Sequence, residues 1–257
     1  MKVGFVGAGN MASGLARGWV LAKDEPGAPE AMLFADADSE KAKAAAEEVG
    51  GKVVKGNRAL VDAADLVVLA VKPNVLGEVA RDLEGAQKPI VSILAGTTLK
   101  TLQGALRGAK LVRVMPNLGA QLRQGVFCLA NGGDAKLRRE VSDLLGLLGD
   151  VIELDEELID AATAIMGCSP GYLALMAEVL VEEGVKLGLT EDQSKRMTAR
   201  AMAATGGLLD HHEPAALKEA VASPGGMTEA GLNALEEREI RETLRAAVDA
   251  SLERVRG

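Results

Sequence analysis

Gly7-Ala8-Gly9-Asn10-Met11-Ala12 is the stretch that most narrows what this chain can fold into. It reads G-x-G-x-x-A, it follows a short apolar run that begins at Lys2, and a helical pattern continues from Met11 to about Lys23. The small residues have separate physical roles. Gly7 lets a strand turn sharply, Gly9 lets the backbone come close to a pyrophosphate, and Ala12 lets the helix pack tightly on a sheet. Phosphate oxygens would sit at the helix N-terminus, where free N–H groups and the helix dipole favour negative charge. A tight structural turn is the other reading of such glycines. The position between a strand and a helix favours a dinucleotide held by Gly7, Ala8, Gly9, Asn10 and Met11.

Composition bounds the remaining classes. A chain of 257 residues with 48% hydrophobic residues has the material for one large or two ordinary domains with a substantial core. The net charge of −8 and an aromatic content of 2% lack the basic patch and stacking aromatics of a nucleic-acid surface. No apolar run approaches the roughly 18 residues of a membrane span, and the opening residues enter a strand rather than a leader. Neither nucleic acid nor membrane is therefore an expected partner. Cys128 and Cys168, the only cysteines, read as reduced thiols, and a cytoplasmic location is expected.

Two regions differ in period. Short β-branched runs at Lys2–Gly7, Met32–Ala35, Lys52–Val54, Leu66–Ala70, Ile90–Leu94 and Leu111–Met115 alternate with helical stretches such as Ser39–Val49 and the Asn74–Leu83 region. This alternation predicts an α/β, doubly wound, parallel sheet with helices on both faces, and Gly125–Ala130 and Val151–Leu154 read as further edge strands. From Asp155, read as an N-cap followed by Glu156 and Glu157, the pattern turns helical. Thr190-Glu191-Asp192-Gln193 is a capping box opening a helix to about Asp210, Gly188 suits the end of the helix before it, Pro214 suits a first turn, and Ile240–Arg256 is amphipathic. The expected domains are residues 1–155, which bind the dinucleotide, and an all-α domain over 156–257. Without a linker they should pack closely. The long apolar stripes of the helices fit a subunit interface or an ordinary core equally well.

Asp36 follows the second strand, where a carboxylate accepts from a ribose 2′-hydroxyl and repels a 2′-phosphate. No arginine lies in the stretch Ala35–Lys41, so NADH is favoured over NADPH, although Asp36 and Asp38 also suit the cap of the next helix. Val71-Lys72-Pro73, Ala95-Gly96-Thr97 and Met115-Pro116-Asn117 end strands on the edge where open α/β sheets bind ligands. Singly each is equally a plain turn. In the helical half, Gly167–Tyr172 and Ser223–Thr228 precede helical patterns and offer backbone N–H groups to an anion, or else are interhelical turns. They suit a small carboxylate, with the Ser223 and Thr228 hydroxyls as partners and Cys168, Pro170, Gly225 and Gly226 in the surrounding backbone. His211 and His212 adjoin in sequence and lack a third ligand, so no metal is expected. No G-x-S-x-G and no base beside a cysteine supports nucleophilic catalysis.

In order, these motifs resemble the pyrroline-5-carboxylate reductase family over essentially the whole chain. The resemblance rests on Gly7–Ala12, Gly56-Asn57, Leu69–Pro73, Ser92–Thr98, Arg113–Asn117 and, most specifically, Ser223–Thr228 followed by Ala230-Gly231-Leu232 and Leu235-Glu236. It implies a Rossmann-type domain followed by a helical dimerisation domain, a homodimer that often assembles into a decamer, and NADH or NADPH as cofactor. It implies cofactor contacts from Asn57, Ala70, Val71, Lys72 and Pro73, with Ala95 and Asn117 on neighbouring loops. Met115 would stand near the substrate, and Thr228 would act as the catalytic residue by hydrogen-bonding the imine. The reaction implied is hydride reduction of 1-pyrroline-5-carboxylate to L-proline, the last step of proline biosynthesis. A protonated imine needs little acid catalysis, which fits the lack of a conspicuous His, Lys or Asp.

The departures bear on substrate. The family's S-G-S-G-P-A-Y is here Met166–Tyr172, with Met166, Cys168 and Ser169 at altered places. Met227 stands where Thr or Ala is common, and Leu118-Gly119 replaces Thr-Pro. Reduction of another small cyclic imino acid, or dinucleotide binding without catalysis, are the alternatives these changes leave.

Overall fold

The computed structural model describes residues Met1–Arg256, of Arg256 the backbone only; Gly257, the end of the expected second domain, lies outside the described residues. The chain divides into two compact units, Met1–Gly167 with a short segment from Arg254 onward, and Cys168–Glu253.

The first unit is an eight-stranded sheet among the described residues. In chain order it contains β1 (Lys2–Val6), α1 (Asn10–Leu21), β2 (Ala31–Ala35), α2 (Ser39–Val49), β3 (Lys52–Val53), α3 (Asn57–Ala63) and β4 (Leu66–Leu69). There follow α4 (Leu76–Asp82), β5 (Pro89–Ser92), α5 (Leu99–Ala105), β6 (Lys110–Pro116), β7 (Gly125–Asn131), α6 (Ala135–Gly146), β8 (Gly149–Asp155) and the short α7 (Ile159–Ala162). The strand order is β3-β2-β1-β4-β5-β6-β7-β8, parallel throughout except where β7 runs antiparallel to β6. β1 thus lies between β2 and β4, at the point where the winding reverses and where such sheets bind ligands beyond their strand ends.

Burial on both faces explains why the strands read as continuous apolar runs. Val3 and Phe5 of β1 join Phe34, Val68, Leu15 and Trp19 in one core, while Val6 joins Leu33, Leu60, Leu69 and Ile90 in the other. Phe5 stacks on Phe34 at 4.9 Å, and the buried Trp19 indole donates to the Leu144 carbonyl at 3.2 Å. Ala12 is buried under α1, as the tight helix–sheet packing required.

Three expectations need correction. β7 is not an edge strand: it pairs with β6 on one side and β8 on the other, and hydrophobic alternation cannot distinguish an outer strand from an inner one. Asp155 occupies the N-cap position but caps nothing with its side chain, which accepts from the Asn131 amide at 3.1 Å. Glu156, read as a first-turn carboxylate, instead accepts from the Leu99 N–H at 2.5 Å and from Arg113 at 3.3 Å. Arg113 lies in β6, only 1% exposed, and its other terminal nitrogen reaches Asp160 at 2.8 Å. These bonds hold residues 156–160 to the sheet, so the first unit runs on to a turn of π-helix at Thr163–Gly167.

The second unit is helical. It comprises α8 (Ser169–Lys186), α9 (Glu191–Leu209), α10 (Pro214–Val221), α11 (Met227–Glu237) and α12 (Ile240–Arg256), whose last residues belong to the first unit. Gly188, at φ +100°, follows the end of α8, and the capping box at Thr190 and Gln193 is formed with both reciprocal bonds. Pro214 takes the first turn of α10. The Ser194 hydroxyl ties α9 to the Val181 carbonyl at 2.9 Å, and the Tyr172 hydroxyl bonds the Ala247 carbonyl and Ser251. Yet α8, α10 and α11 contain no buried residue. Leu173, Leu175, Val179 and Leu180 of α8 are each half or more exposed.

The expectation that nothing here matches a membrane span in length also needs correction. The helical stretch Glu156–Lys186 contains an 18-residue window long and apolar enough to cross one by length and composition. In sequence, Gly, Ser, Pro and Thr interrupt this stretch without making it polar.

Candidate active site

The cleft of the first unit forms where β1, β2 and β4 end. Gly7 has φ +97°, a conformation L residues rarely adopt, and a Cβ there would stand 2.5 Å from the Ala70 carbonyl oxygen. Its N–H donates to the Ala35 carbonyl at 2.8 Å, which fixes the turn between the first two strands. Gly9 differs. Its φ of −78° is open to any residue, and a Cβ would meet nothing within 4 Å. Neither backbone strain nor packing demands glycine at this point, so the space is left for a close-approaching ligand. Gly9 is also the N-cap of α1, which no side chain caps and whose first turn carries no acid. The first-turn N–H groups of Asn10 and Met11 are thus positioned for an anion, and this arrangement fits a dinucleotide pyrophosphate.

The two carboxylates after β2 divide the roles that sequence left open. Asp38 is the cap of α2, accepting from the Glu40 and Lys41 N–H groups at 3.1 and 3.4 Å. Asp36 reaches back instead: one oxygen accepts the Ala8 N–H at 2.7 Å and the other the Asp38 N–H at 2.9 Å. It therefore borders the phosphate turn in a fixed orientation.

Gly7, Gly9, Asp36, Asn57 and the Ala70–Lys72 segment line one cleft of about 390 Å³. Asn57 opens α3, with its amide donating to Asp82 at 2.9 Å. Pro73 begins the short turn that follows Lys72. Sequence reasoning missed the opposite wall, which α4 supplies through Glu78, Val79 and Asp82, together with Val75 before it and Lys41 from α2. The i,i+4 spacings of Val75 with Val79 and Glu78 with Asp82 were the available signal.

The neighbouring strand ends are closed by their own bonds. Ala95 is exposed, and its carbonyl accepts from Thr97 at 3.2 Å. Met115 is buried in the second core. Asn117 uses its whole amide as scaffold: the oxygen accepts from Gly119 and Val126 N–H groups and the nitrogen donates to the Met166 carbonyl, all at 3.1 Å. Burial raises the Cys128 thiol above its ordinary range, which leaves it inert. Among the described residues no three His, Cys, Asp or Glu side chains converge as a metal site would require.

In the second unit, Cys168 sits at the N-cap of α8 with no side-chain bond, and Pro170 lies in that helix's first turn. Ser223–Thr228 leads into α11 with Gly226 as N-cap, its N–H donating to the Ser223 carbonyl at 2.9 Å. Thr228 and Met227 are exposed. Gly225, at φ +71°, donates its N–H to the Glu229 carboxylate at 2.7 Å. That contact was not anticipated, though Glu229 holds the third helical position where capping glutamates occur.

Comparisons with known proteins agree across both units. Residues 156–257 match the family described as pyrroline-5-carboxylate reductase dimerisation, and residues 2–96 the one described as NADP oxidoreductase, coenzyme F420-dependent. The pyrroline-5-carboxylate reductase of Thermus thermophilus is 34% identical over 259 residues, covering 99% of this chain and 97% of that protein. The crystal structure of 1-pyrroline-5-carboxylate reductase from Streptococcus pyogenes superposes with a TM-score of 0.87 at 30% identity, over 100% of this chain and 98% of the other. Pyrroline carboxylate reductase of Plasmodium falciparum, solved with NADP bound, gives 0.86 at 28%, over 100% and 97%.

Proposed function

The chain belongs to the pyrroline-5-carboxylate reductase family, and from that membership we propose how its residues share the work of reducing 1-pyrroline-5-carboxylate to L-proline. It is an NAD(P)H-dependent oxidoreductase with a Rossmann-type domain and a helical dimerisation domain, and it forms a homo-oligomer. Its step closes proline biosynthesis.

The observation that carries the cofactor half is Gly9, a glycine that neither strain nor packing requires, at the uncapped start of α1. When bound there, a reduced nicotinamide dinucleotide supplies the hydride for the imine carbon. Asp36 is the residue we read as favouring NADH. Its carboxylate, locked by the Ala8 N–H, suits a ribose hydroxyl and repels a 2′-phosphate. Glu78 and Asp82 add charge of the same sign to the cleft, and the Lys41 ammonium stands 3.6 Å from Asp38. Ala70–Pro73 and Asn57 complete the cofactor contacts, while Ala95, Met115 and Asn117 shape the adjoining strand ends.

Ser223–Thr228 is read as the carboxylate cradle, with Cys168 and Pro170 as further wall and Thr228 on the imine nitrogen. The Gly225 and Gly226 N–H groups are already given to the Glu229 carboxylate and the Ser223 carbonyl, so the Ser223 and Thr228 hydroxyls carry this reading. The nitrogen needs one hydrogen-bond partner rather than a strong acid, because a protonated imine is an electrophile already. Orientation of two bound reactants then supplies most of the rate. The reading extends to a homodimer built through the helical domain, its assembly into a decamer, and a cytoplasmic location.

Initial rates of NADH and NADPH oxidation by the purified chain test this, with 1-pyrroline-5-carboxylate set against other small cyclic imino acids. The expected result is turnover of 1-pyrroline-5-carboxylate with a higher kcat/KM for NADH, and about a tenfold relaxation of that preference in Asp36→Ala. Absence of imine-dependent oxidation overturns the reaction, and a wild-type preference for NADPH overturns the role of Asp36.

A further inference from the structure

Asn57 lines the dinucleotide cleft with Gly7, Gly9 and Asp36, and its amide nitrogen is 2.9 Å from an oxygen of Asp82. A carboxylate only accepts hydrogen bonds, so chemistry dictates which end of the amide faces it. The NH₂ must point to Asp82, and the carbonyl oxygen is the end that remains. The adjacent cation does not alter this, because Arg58 is bound to Asp62 and to the Glu84 carbonyl.

We propose that Asp82 is a specificity-determining positioning residue: by holding the Asn57 NH₂ it leaves the cleft an amide oxygen, which accepts from a ribose hydroxyl and rejects a 2′-phosphate. The inference rests on the preference for NADH proposed above and adds a second device to it, on α4, independent of Asp36. Without Asp82 the amide is free to turn over and offer two N–H donors to a phosphate. Glu78, one helical turn earlier and in the same cleft wall, adds a second negative charge opposite Lys41 and Lys72, which line the same cleft, so the orientation of the Asn57 amide adds to or takes from the donors those lysines supply.

Direct binding to the full-length protein tests this. Dissociation constants for NADH and NADPH are measured by fluorescence titration, without substrate, in wild type, Asp82→Ala, Asp82→Asn, Asn57→Ala and Asn57→Ala/Asp82→Ala. In Asp82→Ala the ratio Kd(NADPH)/Kd(NADH) should fall about tenfold, the size of one hydrogen bond to a charged group. Asp82→Asn should move it the same way by less, since an amide can pair with either end of Asn57, and this milder variant serves if the alanine substitution impairs folding. In the Asn57→Ala background the loss of Asp82 should shift the ratio by about threefold at most, the direct effect of the lost charge, because the amide through which it acts further is gone. A ratio unmoved in Asp82→Ala, or moved equally with and without Asn57, overturns the inference. If wild type prefers NADH and Asp36→Ala relaxes that preference while Asp82→Ala does not, this inference alone fails. A wild type that prefers NADPH removes the NADH reading and this inference together.

Discussion

The two compact units solve the same burial problem in opposite ways. In β4 of the first unit, Leu66, Val67, Val68 and Leu69 are all buried, shared between the two cores on either face of the sheet. In α8 of the second unit, which carries Leu173, Leu175, Val179 and Leu180, no residue is buried. The hydrophobic effect rewards covering such a face by roughly 25 cal/mol per Å², so the contrast says where cover is supplied by the chain and where it must come from outside. Their sites follow the same division. Gly7, Asp36 and Asn57 are held by bonds within the first unit, so the cleft they line is preformed. Ser223–Thr228 has local bonds only, and Thr228 stands exposed.

The most severe way to break this contrast is Leu180→Asp. On a face covered by a second copy, an unpaired charge costs several kcal/mol, so association should weaken by about a thousandfold or more, read by sedimentation velocity. An unchanged assembly would mean that this part of α8 faces solvent.

Next in size, Arg113→Ala strikes the unit that is complete in itself. It removes the buried partner of Glu156 and Asp160, and a cost of about 3 kcal/mol should appear as a lower thermal midpoint in circular dichroism. A midpoint within a degree of wild type would show that the pair contributes nothing to holding residues 156–160 on the sheet.

Thr228→Ala sharpens the comparison at the level of the sites. Loss of one hydrogen bond to a charged group should lower kcat/KM for the imine by about ten- to a hundredfold. The Kd for NADH, set by the other unit, should stay within about twofold. Equal loss in both would remove the division of labour.

The smallest effect is expected from Thr190→Ala, about 1 kcal/mol from one lost helix cap, measured by chemical denaturation. No change would indicate that α9 is held by its packing alone.

What was legible in the sequence follows the same divide. Strands whose neighbours lie on both sides read as β-branched runs, and the capping box at Thr190 and Gln193 announced α9, because both signals are local. Asp36 and Asp38 stood two residues apart with equal claim to cap α2. Only the return of Asp36 to the Ala8 N–H, a contact across 28 positions, separates them. The i,i+4 spacing of Glu78 and Asp82 puts them on one face of α4, but that this face lines the cleft is set by the sheet beneath the helix. The apolar stripe of α8 was visible, but a stripe has the same pattern whether it faces a core or a partner. The decisive quantity, exposure within the single chain, belongs to the fold.

The most direct test of the claim that the helical unit is completed by a second copy is sedimentation velocity of the full-length wild-type chain across a dilution series. Sedimentation as a dimer or a multiple of dimers, persisting at micromolar concentration and below, is the predicted result. A monomer at every concentration, with Leu173, Leu175, Val179 and Leu180 left in water, would contradict it.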